Sequence, residues 1–362
     1  MTTKSNLEGT VLSGMRPTGD LHIGHFEGVL RNWVELQENY DCFYFVADLH
    51  AVTTETDTRQ LRRNTLEMVK DWLAFGIDPN KSTIFVQSYV PEHSELAVIL
   101  ERLINIGALE RMPTFKAYVE HLAGDRRVKV PVSESSKETR ELHGDERLEF
   151  IASSEVSTGF LTYPVLQAAD ILLYNTTHVP VGEDQLPHIE LTREIARKFN
   201  RQYGELMVVP DALLSEAKRV RGIDGRKMSK SYGNEISPRH TTTEITEKVN
   251  RILTYRKRLT DLGDPFECPV YDLQKIFNKK EDLEILQDCR NASIRCYDCK
   301  MKLPDKISAV YEEYRAKRAT ISDDDVMQIL VAGNLKARKV TSQKLDETKR
   351  FMLMNYLEEG RK

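Results

Sequence analysis

The chain has 362 residues, of which 40% are hydrophobic and 30% charged, and its formal net charge is −4. This length allows two or three domains, and this composition argues against disordered, collagen-like and coiled-coil proteins. The charge argues against a protein that coats nucleic acid indiscriminately, because such binding needs a broad basic surface. No apolar run approaches the roughly 18 residues that cross a bilayer, and residues 1–6 lack the apolar core of a signal peptide. We therefore expect a cytoplasmic protein that does not enter a membrane.

The first half of the sequence alternates short apolar runs with segments of helical periodicity. Three strands are predicted, over residues 9–13, 41–46 and 83–87. Three helices are predicted beside them, from about residue 23, over 58–75 and over 94–106. The continuous apolar run of the second strand is typical of a strand buried on both faces. This alternating order predicts a parallel sheet with right-handed crossovers.

Residues 120–157 interrupt this pattern, because they are crowded with charged residues and serine. We expect an exposed insertion there. The regular pattern returns with a helix from Tyr163, a short strand over residues 177–181 and a long helix from Glu183.

The strand signals stop at about residue 235, after a basic, glycine-containing loop. The remaining sequence is helical and rich in Lys and Arg, and it ends in a long helical segment over residues 334–359. We therefore expect an α/β domain over 1–235, a Rossmann-type doubly wound parallel sheet, and an all-helical domain over 236–362.

The first motif that can carry chemistry is the turn 14–25, Gly-Met-Arg-Pro-Thr-Gly-Asp-Leu-His-Ile-Gly-His. It lies between the first predicted strand and helix, at the edge where open α/β sheets bind ligands. Amides and the positive dipole end of a helix start suit a polyphosphate. His22 and His25 share a face and can donate hydrogen bonds as charge builds up on phosphate. A surface turn or half of a metal site would explain the same spacing.

The second motif is the segment 225–234, Gly-Arg-Lys-Met-Ser-Lys-Ser-Tyr-Gly-Asn. Lys227 and Lys230 place two ammonium groups on a glycine-flanked, hydroxyl-rich loop. Such a loop can close over a leaving pyrophosphate and neutralise its charge. A solvated basic turn is the alternative, but the two motifs together are much more specific than either alone.

Four of the five cysteines lie in the helical half with the spacing C-x20-C-x6-C-x2-C. They are Cys268, Cys289, Cys296 and Cys299. Clustered thiols in a cytoplasmic chain indicate a metal site. Because there is only one C-x2-C pair, the spacing favours an iron–sulfur cluster over zinc, which stays the second candidate. Coincidence among unrelated thiols is a third explanation, and Cys42, in an apolar strand, is expected in the core.

The two motifs resemble the signatures of class I aminoacyl-tRNA synthetases, and longer segments resemble the tryptophanyl-tRNA synthetase family. These segments are residues 44–51 (Tyr-Phe-Val-Ala-Asp-Leu-His-Ala), 163–174 (Tyr-Pro-Val-Leu-Gln-Ala-Ala-Asp-Ile-Leu-Leu-Tyr), 179–185 (Val-Pro-Val-Gly-Glu-Asp-Gln) and 188–200. The resemblance implies a homodimeric enzyme that activates tryptophan with ATP and Mg²⁺ and transfers it to tRNA(Trp). The cysteine arrangement resembles a subset of this family with a [4Fe–4S] cluster near the anticodon end.

The resemblance also implies roles for individual residues. The residues that it implies for catalysis are His22, His25, Lys227 and Lys230. Those that it implies for tryptophan binding are Asp170, Tyr163, Gln167, Gly14, Val179, Val181 and Gln185. Those that it implies for ATP binding are Arg16, Pro17, Thr18, Gly24, His25, Gly182, Glu183, Asp184, Val220, Lys227, Met228, Ser229, Lys230 and Ser231.

Asp170 matches the family aspartate that accepts a hydrogen bond from the indole N–H. A buried carboxylate suits this role because indole offers a single polar group, which is a donor. The flanking residues are apolar, which favours a buried ligand contact over a helix-end carboxylate in a satisfied network. Tyr163, Gln167 and Asp170 follow one another at spacings of four and three, and therefore share a helix face.

Two positions depart from the pattern of many family members. Arg16 stands where many have Gln, and Gln167 stands where many have Met. A Tyr-x-x-x-Gln-x-x-Asp face also occurs in tyrosyl-tRNA synthetases, so tyrosine is the second candidate substrate. A catalytically inactive RNA-binding paralogue is a third interpretation, although the intact His and Lys pairs argue against it. In the helical half, Arg251, Arg256, Lys257 and Arg258 are expected to contact tRNA phosphates.

Overall fold

The computed structural model describes residues 7–54, 57–131, 139–214, 220–228, 232–256 and 258–356. Its strands are β1 (Thr10–Met15), β2 (Asp41–Val46), β3 (Thr83–Val86), β4 (Val128–Pro131), β5 (Thr139–Leu142), β6 (His178–Val181) and β7 (Asp211–Leu214). The helices before β7 are α1 (Ile23–His25), α2 (Arg31–Leu36), α3 (Asp48–Ala51), α4 (Leu61–Phe75), α5 (Glu92–Glu101), α6 (Ile106–Glu110), α7 (Pro113–Ala123), α8 (Gly144–Glu155), α9 (Thr158–Leu173) and α10 (Leu186–Tyr203). A π-helical turn, Phe26–Leu30, joins α1 to α2.

After β7 the regular elements of the described chain are all helices. They are α11 (Thr242–Arg251), α12 (Pro269–Phe277), α13 (Asp282–Arg290), α14 (Cys296–Met301), α15 (Pro304–Val310), α16 (Glu312–Thr320) and α17 (Asp323–Phe351). In the part of the chain that the structure describes, no single helix is long and apolar enough to span a membrane. The pair α8 and α9, bent by 79°, passes the same test of length and composition only when taken together.

The main sheet has five parallel strands in the order β3-β2-β1-β6-β7. On one side of β1 the strands follow in chain order, β2 and then β3, and on its other side lie β6 and then β7. The strand order reverses next to β1, and sheets of this kind bind ligands at the carboxyl ends of the strands at such a point, here β1 and β6. The predicted Rossmann-type sheet is confirmed, but β7 was not predicted, because its four residues are only partly buried and form no long apolar run.

Both faces of the sheet are covered, as the apolar run of β2 predicts. Phe43 and Phe45 point into one core cluster, and Cys42, Tyr44 and Val46 point into the other. Alternate side chains of a strand point to opposite faces, so a strand with two buried faces is apolar throughout. Burial raises the pKa of the Cys42 thiol to about 11, which agrees with its expected place in the core.

The charged segment 120–157 is more regular than its composition predicts. It contains the end of α7, the antiparallel hairpin of β4 and β5, and α8. Val128, Leu142 and Ile151 are buried in the core beside the sheet. The expectation of an exposed insertion was therefore partly wrong, because a few apolar residues at separated positions anchor an otherwise polar surface. Residues 132–138 lie outside the described chain.

The last long helix returns to the parallel sheet. It begins at Asp323, earlier than predicted, because Ser322 caps it in a reciprocal capping box with Asp325. Asn334 Oδ1 accepts a 2.9 Å hydrogen bond from the backbone N–H of Val86, on the edge strand β3. A Cβ atom on Gly333 would lie 1.8 Å from the carbonyl oxygen of Ile84, so only glycine permits this close approach.

Candidate active site

Many of the predicted functional side chains lie at the carboxyl edge of the parallel sheet. The turn carrying His22 and His25 follows β1, and the turn Glu183–Gln185 follows β6, the neighbour of β1. His50 and Gln87 follow β2 and β3 at the same edge. At the end of β1, a Cβ atom on Gly14 would lie 2.4 Å from the Phe45 ring, so the sheet needs glycine there.

His22 and His25 cap the start of α1 reciprocally. His22 Nδ1 accepts from the Gly24 N–H at 3.1 Å, and His25 Nδ1 accepts from the His22 N–H at 3.2 Å. The ring centroids are 3.9 Å apart. Because both Nδ1 atoms are acceptors, each neutral ring carries its proton on Nε2. The backbone thus prepares two N–H donors beside a helix start, which is the arrangement that an anionic oxygen requires.

The second motif is only partly within the described residues. Ser229, Lys230 and Ser231 lie outside them. Val220 and Met228 are buried against the core, whereas the side chain of Lys227 is exposed.

The chain that follows this motif is hydrogen-bonded to the histidine turn. The Ile23 N–H donates to the Ile236 carbonyl at 2.9 Å, and Ser237 Oγ donates to the Leu21 carbonyl at 3.2 Å. The two motifs, about 200 residues apart in sequence, are therefore tethered to each other through the stretch that leaves the lysine loop.

Asp170, on α9, is a buried carboxylate that is 1% exposed. Its Oδ1 accepts from His93 Nδ1 at 2.6 Å, and its Oδ2 accepts from His50 Nε2 at 2.7 Å. Gln87 Nε2 donates to both oxygens, at 2.8 and 3.0 Å. Burial alone would raise the pKa of this carboxyl, but attraction and hydrogen bonds from His93 and His50 outweigh it, and the pKa lies below its ordinary value. Asp170 is therefore an ionised acceptor.

Sequence reasoning missed the three donors to Asp170. His50 lies in the resembling segment 44–51, but no role was predicted for it, and none was predicted for Gln87 or His93. The sequence did contain a signal for these donors. A carboxylate in an apolar helix needs hydrogen-bond donors, and polar residues directly after parallel strands meet at one edge of the sheet, where they can supply them.

Tyr163 and Gln167 lie on α9 with Asp170, and both are half-buried. The Tyr163 hydroxyl donates to Thr114 Oγ1 at 2.9 Å and lies 2.8 Å from His188 Nε2. Burial lowers the pKa of His188 to about 4. An aromatic ring and a neutral imidazole therefore lie on the same side of the helix as the acceptor carboxylate.

The other predicted ligand-binding residues surround the same edge. Val179 and Val181 of β6 are buried, Gln185 is half-buried, and Glu183 and Asp184 are exposed in the turn that begins at Gly182. In the histidine turn Pro17 is buried, Gly24 is half-buried, and Arg16 and Thr18 are exposed. Arg16 Nη1 donates to Thr54 Oγ1 at 3.3 Å, and the Arg16 charge acts on the Tyr163 hydroxyl. Arg16 therefore lies near Tyr163.

Of the four clustered cysteines, Cys268 caps the start of α12, Cys289 lies near the end of α13, and Cys296 and Cys299 lie in α14. All are free thiols, partly buried. Burial, together with smaller contributions from the charges of Cys268, Cys289 and Cys296, raises the pKa of Cys299 to about 12, so the four thiols lie within electrostatic reach of one another. The donor set has the chemistry of an iron–sulfur site, but no three His, Cys, Asp or Glu groups among the described residues are arranged as metal ligands.

The family described as class I tRNA synthetases for tryptophan and tyrosine (W and Y) matches residues 4–312. The chain belongs to this family. A tryptophan–tRNA ligase of Thermotoga maritima is 43% identical to this class I synthetase, over 94% of this chain and 98% of the relative. A tryptophan–tRNA ligase of Aquifex aeolicus is 39% identical, over 94% and 99% of the two chains.

Solved structures agree with this placement among the class I synthetases. The tryptophanyl-tRNA synthetase of Campylobacter jejuni, complexed with ADP and tryptophan, has a TM-score of 0.76 and 32% identity, covering 95% of this chain and 99% of that one. The tyrosyl-tRNA synthetase of Archaeoglobus fulgidus has a TM-score of 0.62 at 19% identity, which shows a shared fold alone. The similarity therefore favours the tryptophan branch of the family over the tyrosine branch.

Proposed function

We propose that this class I synthetase activates tryptophan with ATP and transfers it to tRNA(Trp). The observation that carries the proposal is the ionised, buried Asp170 at the same sheet edge as the prepared His22 and His25 donors. The first feature suits a substrate whose only ring donor is an N–H, and the second suits a polyphosphate. The tryptophan–tRNA ligase relatives, which match nearly the whole chain, support the same activity.

The tryptophan pocket has Asp170 as its polar end. A ligand that displaces one protein donor from Asp170 without supplying an N–H in its place would leave that hydrogen bond unmade, at a cost of roughly 1–3 kcal/mol. Tyr163 and Gln167 on the same helix face hold the amino group or shape the pocket. Its remaining walls are Gly14, Val179, Val181 and Gln185.

ATP binds across the crevice between the ends of β1 and β6. The residues of the histidine turn that contact it are Arg16, Pro17, Thr18, Gly24 and His25. Gly182, Glu183 and Asp184 bind the nucleoside side, and the lysine-loop residues Val220, Lys227, Met228, Ser229, Lys230 and Ser231 close over the phosphates. Mg²⁺, entering with ATP, would supply positive charge between phosphate oxygens.

In the first step, the tryptophan carboxylate forms a bond to the α-phosphorus as the bond to pyrophosphate breaks in line. No protein nucleophile takes part, so the chain acts by alignment and by stabilising charge. The Nε2–H groups of His22 and His25 donate to the phosphate oxygens as they gain charge. Lys227 and Lys230 neutralise the departing pyrophosphate. In the second step, a terminal ribose hydroxyl of the tRNA attacks the adenylate and AMP leaves.

We propose that residues 1–235 form the catalytic domain and 236–362 the anticodon-binding domain. The basic residues Arg251, Arg256, Lys257 and Arg258 contact tRNA phosphates, and a homodimer lets one subunit bind the anticodon for the other's active site. The enzyme acts in the cytoplasm, where its tRNA is charged.

Exchange of labelled pyrophosphate into ATP tests the proposed activity. We expect exchange with tryptophan and none above background with tyrosine or with no amino acid. Exchange with tyrosine alone would indicate a tyrosyl-tRNA synthetase. No exchange with either amino acid, together with tRNA binding, would indicate an inactive RNA-binding paralogue.

We further propose that Cys268, Cys289, Cys296 and Cys299 hold a [4Fe–4S] cluster that shapes the anticodon-binding surface, with Zn²⁺ as the second candidate. Anaerobic purification should give a coloured protein with about four iron and four sulfide per chain. Cys296→Ser should lose this iron, whereas Cys42→Ala, which changes the buried core cysteine, should keep it. Iron-free, colourless and active protein would contradict the cluster, and one zinc per chain would favour the second candidate.

A further inference from the structure

All acceptor positions of the Asp170 carboxylate are already occupied by protein donors. A carboxylate has about four lone-pair positions. Oδ1 accepts from His93 and Gln87, and Oδ2 accepts from His50 and Gln87, at distances of 2.6 to 3.0 Å. A substrate N–H can therefore reach this carboxylate only if one of these donors withdraws.

The donors differ in their freedom to withdraw. Gln87 and His93 are fully buried, whereas the His50 side chain is 12% exposed. His93 is held at its second nitrogen, because Nε2 lies 2.9 Å from the Tyr174 hydroxyl. Its ring also packs against the rings of Phe45 and Phe85, with centroids 6.1 and 5.9 Å away. His50 is thus the exchangeable partner, and His93 is the fixed one.

We propose that His93 is a positioning residue for tryptophan specificity: it keeps Asp170 ionised and oriented while the indole N–H replaces His50 on Oδ2. The proposal rests on the role proposed above for Asp170. It assigns the selectivity of the pocket to a residue that has no contact with the substrate.

The charge balance around Asp170 explains why a fixed partner is needed. The titratable groups that face it are His50 from α3, His93 from α5 and Tyr174 from its own helix, with Glu92 beyond Tyr174. When indole replaces His50, His93 is the remaining imidazole that opposes the burial of the carboxylate. Without His93, burial would favour the protonated form of Asp170. Its O–H would then face the indole N–H, so that two donors would meet with no acceptor between them.

The test compares His93→Leu, which removes the donor, with His93→Asn, whose Nδ2 can occupy the place of the imidazole Nδ1. Pyrophosphate exchange is measured between pH 5.5 and 8.5 with tryptophan and with β-(benzothiophen-3-yl)alanine, in which sulfur replaces the N–H. The wild-type enzyme should prefer tryptophan by about tenfold to a hundredfold in KM, with little dependence on pH. His93→Leu should raise the KM for tryptophan by a similar factor at neutral pH, and part of this loss should be recovered at pH 8.5.

Two further observations separate positioning from a general structural role. His93→Asn should restore most of the preference, and kcat should change by only a few-fold in both variants. In ¹⁵N-histidine-labelled enzyme, tryptophan should shift the His50 side-chain signal and leave the His93 Nδ1–H in place.

The proposal is overturned if folded His93→Leu keeps the wild-type preference and pH profile, or if tryptophan releases His93 instead of His50. Should His93→Leu fail to fold, Tyr174→Phe frees the same ring at Nε2, and unchanged selectivity in that variant would count against the proposal. Failure of the Asp170 role has a different signature, because Asp170→Asn would then leave the preference for tryptophan over the sulfur analogue unchanged.

Discussion

Two buried aspartates, Asp71 and Asp170, lie on helices that pack against opposite faces of the sheet, and each is at most 1% exposed. Asp71 accepts from Arg239 at 2.6 Å and from Arg318 at 2.7 Å, with the Tyr314 hydroxyl also at 2.7 Å. Asp170 accepts instead from two imidazoles and an amide.

This difference in donors separates a structural cluster, around Asp71, from the cluster that we propose as a ligand site, around Asp170. Guanidinium groups stay charged at every accessible pH and bind carboxylates with two or more donors, so they make a permanent connection. Arg239 follows the lysine loop and also pairs with Asp20 of the histidine turn, while Arg318 lies on α16. The Asp71 cluster thereby connects the helical part to the parallel sheet, whereas the imidazole cluster is the one that we propose releases a donor to a substrate.

The largest expected effect comes from breaking the guanidinium cluster. Asp71→Asn removes the fully buried charge that Arg239 and Arg318 share and leaves them only the more exposed Glu67 in common, so it should lower the free energy of unfolding by up to about 3–5 kcal/mol. Urea denaturation measures this loss. The matched control is Asp20→Asn, which removes an exposed partner of the same Arg239 and should cost only about 0–1 kcal/mol. Equal losses in the two variants would refute the distinction.

The equivalent change in the imidazole cluster should affect binding more than stability. Asp170→Asn can turn an amide N–H toward the indole N–H, and should lower kcat/KM for tryptophan by about a hundredfold, or roughly 2.7 kcal/mol. Pyrophosphate exchange at varied tryptophan concentration gives this value. Its free energy of unfolding should change less than that of Asp71→Asn, and the reverse order would show that Asp170 is the structural group.

The pH dependence of stability provides a third comparison, because imidazoles change charge near neutral pH and guanidinium groups do not. Burial lowers the pKa of His188, beside Tyr163, to about 4 in the folded protein. As the pH falls, this imidazole is therefore protonated in the unfolded chain before it is protonated in the folded one. Its contribution to stability is complete above pH 6.5 and declines toward pH 4. Between pH 7 and 5 the wild-type free energy of unfolding should therefore fall by about 2 kcal/mol more than that of His188→Gln. Parallel pH curves would contradict the assigned pKa.

The smallest effect is expected at an exposed guanidinium. Among the described residues, Arg16 donates one side-chain hydrogen bond, 3.3 Å long, and its side chain is exposed. Because solvent screens its charge, Arg16→Gln should change the KM for ATP or tryptophan by only about threefold or less. A change of tenfold or more in the KM for ATP would show that this guanidinium touches phosphate in the bound state.

The sequence predicted the elements whose patterns are local. The apolar run of β2, the turn around His22 and His25, and the helix face carrying Asp170 are all visible within a few residues. The strand β7 and the hairpin of β4 and β5 were missed, because partly exposed short strands have weak periodicity.

The partners of the two aspartates could not be predicted in the same way. His50, Gln87 and His93 lie 120, 83 and 77 residues from Asp170, and Arg239 and Arg318 lie 168 and 247 residues from Asp71. Such contacts depend on strand order and helix packing, which no local pattern records. The two motifs predicted which sheet edge binds ligands, and that stays a prediction, but the type of donor around each carboxylate emerged only from the assembled fold.

The contact of α17 with the edge of the sheet has a consequence for biosynthesis. An uncovered edge strand offers free backbone groups to any other extended chain, and so invites aggregation. Here the residues that shield β3 lie 248 residues after the strand that they contact, so they leave the ribosome long after it. A nascent chain therefore carries an open template until α17 has emerged, and a product cut short before Gly333 would leave that template exposed.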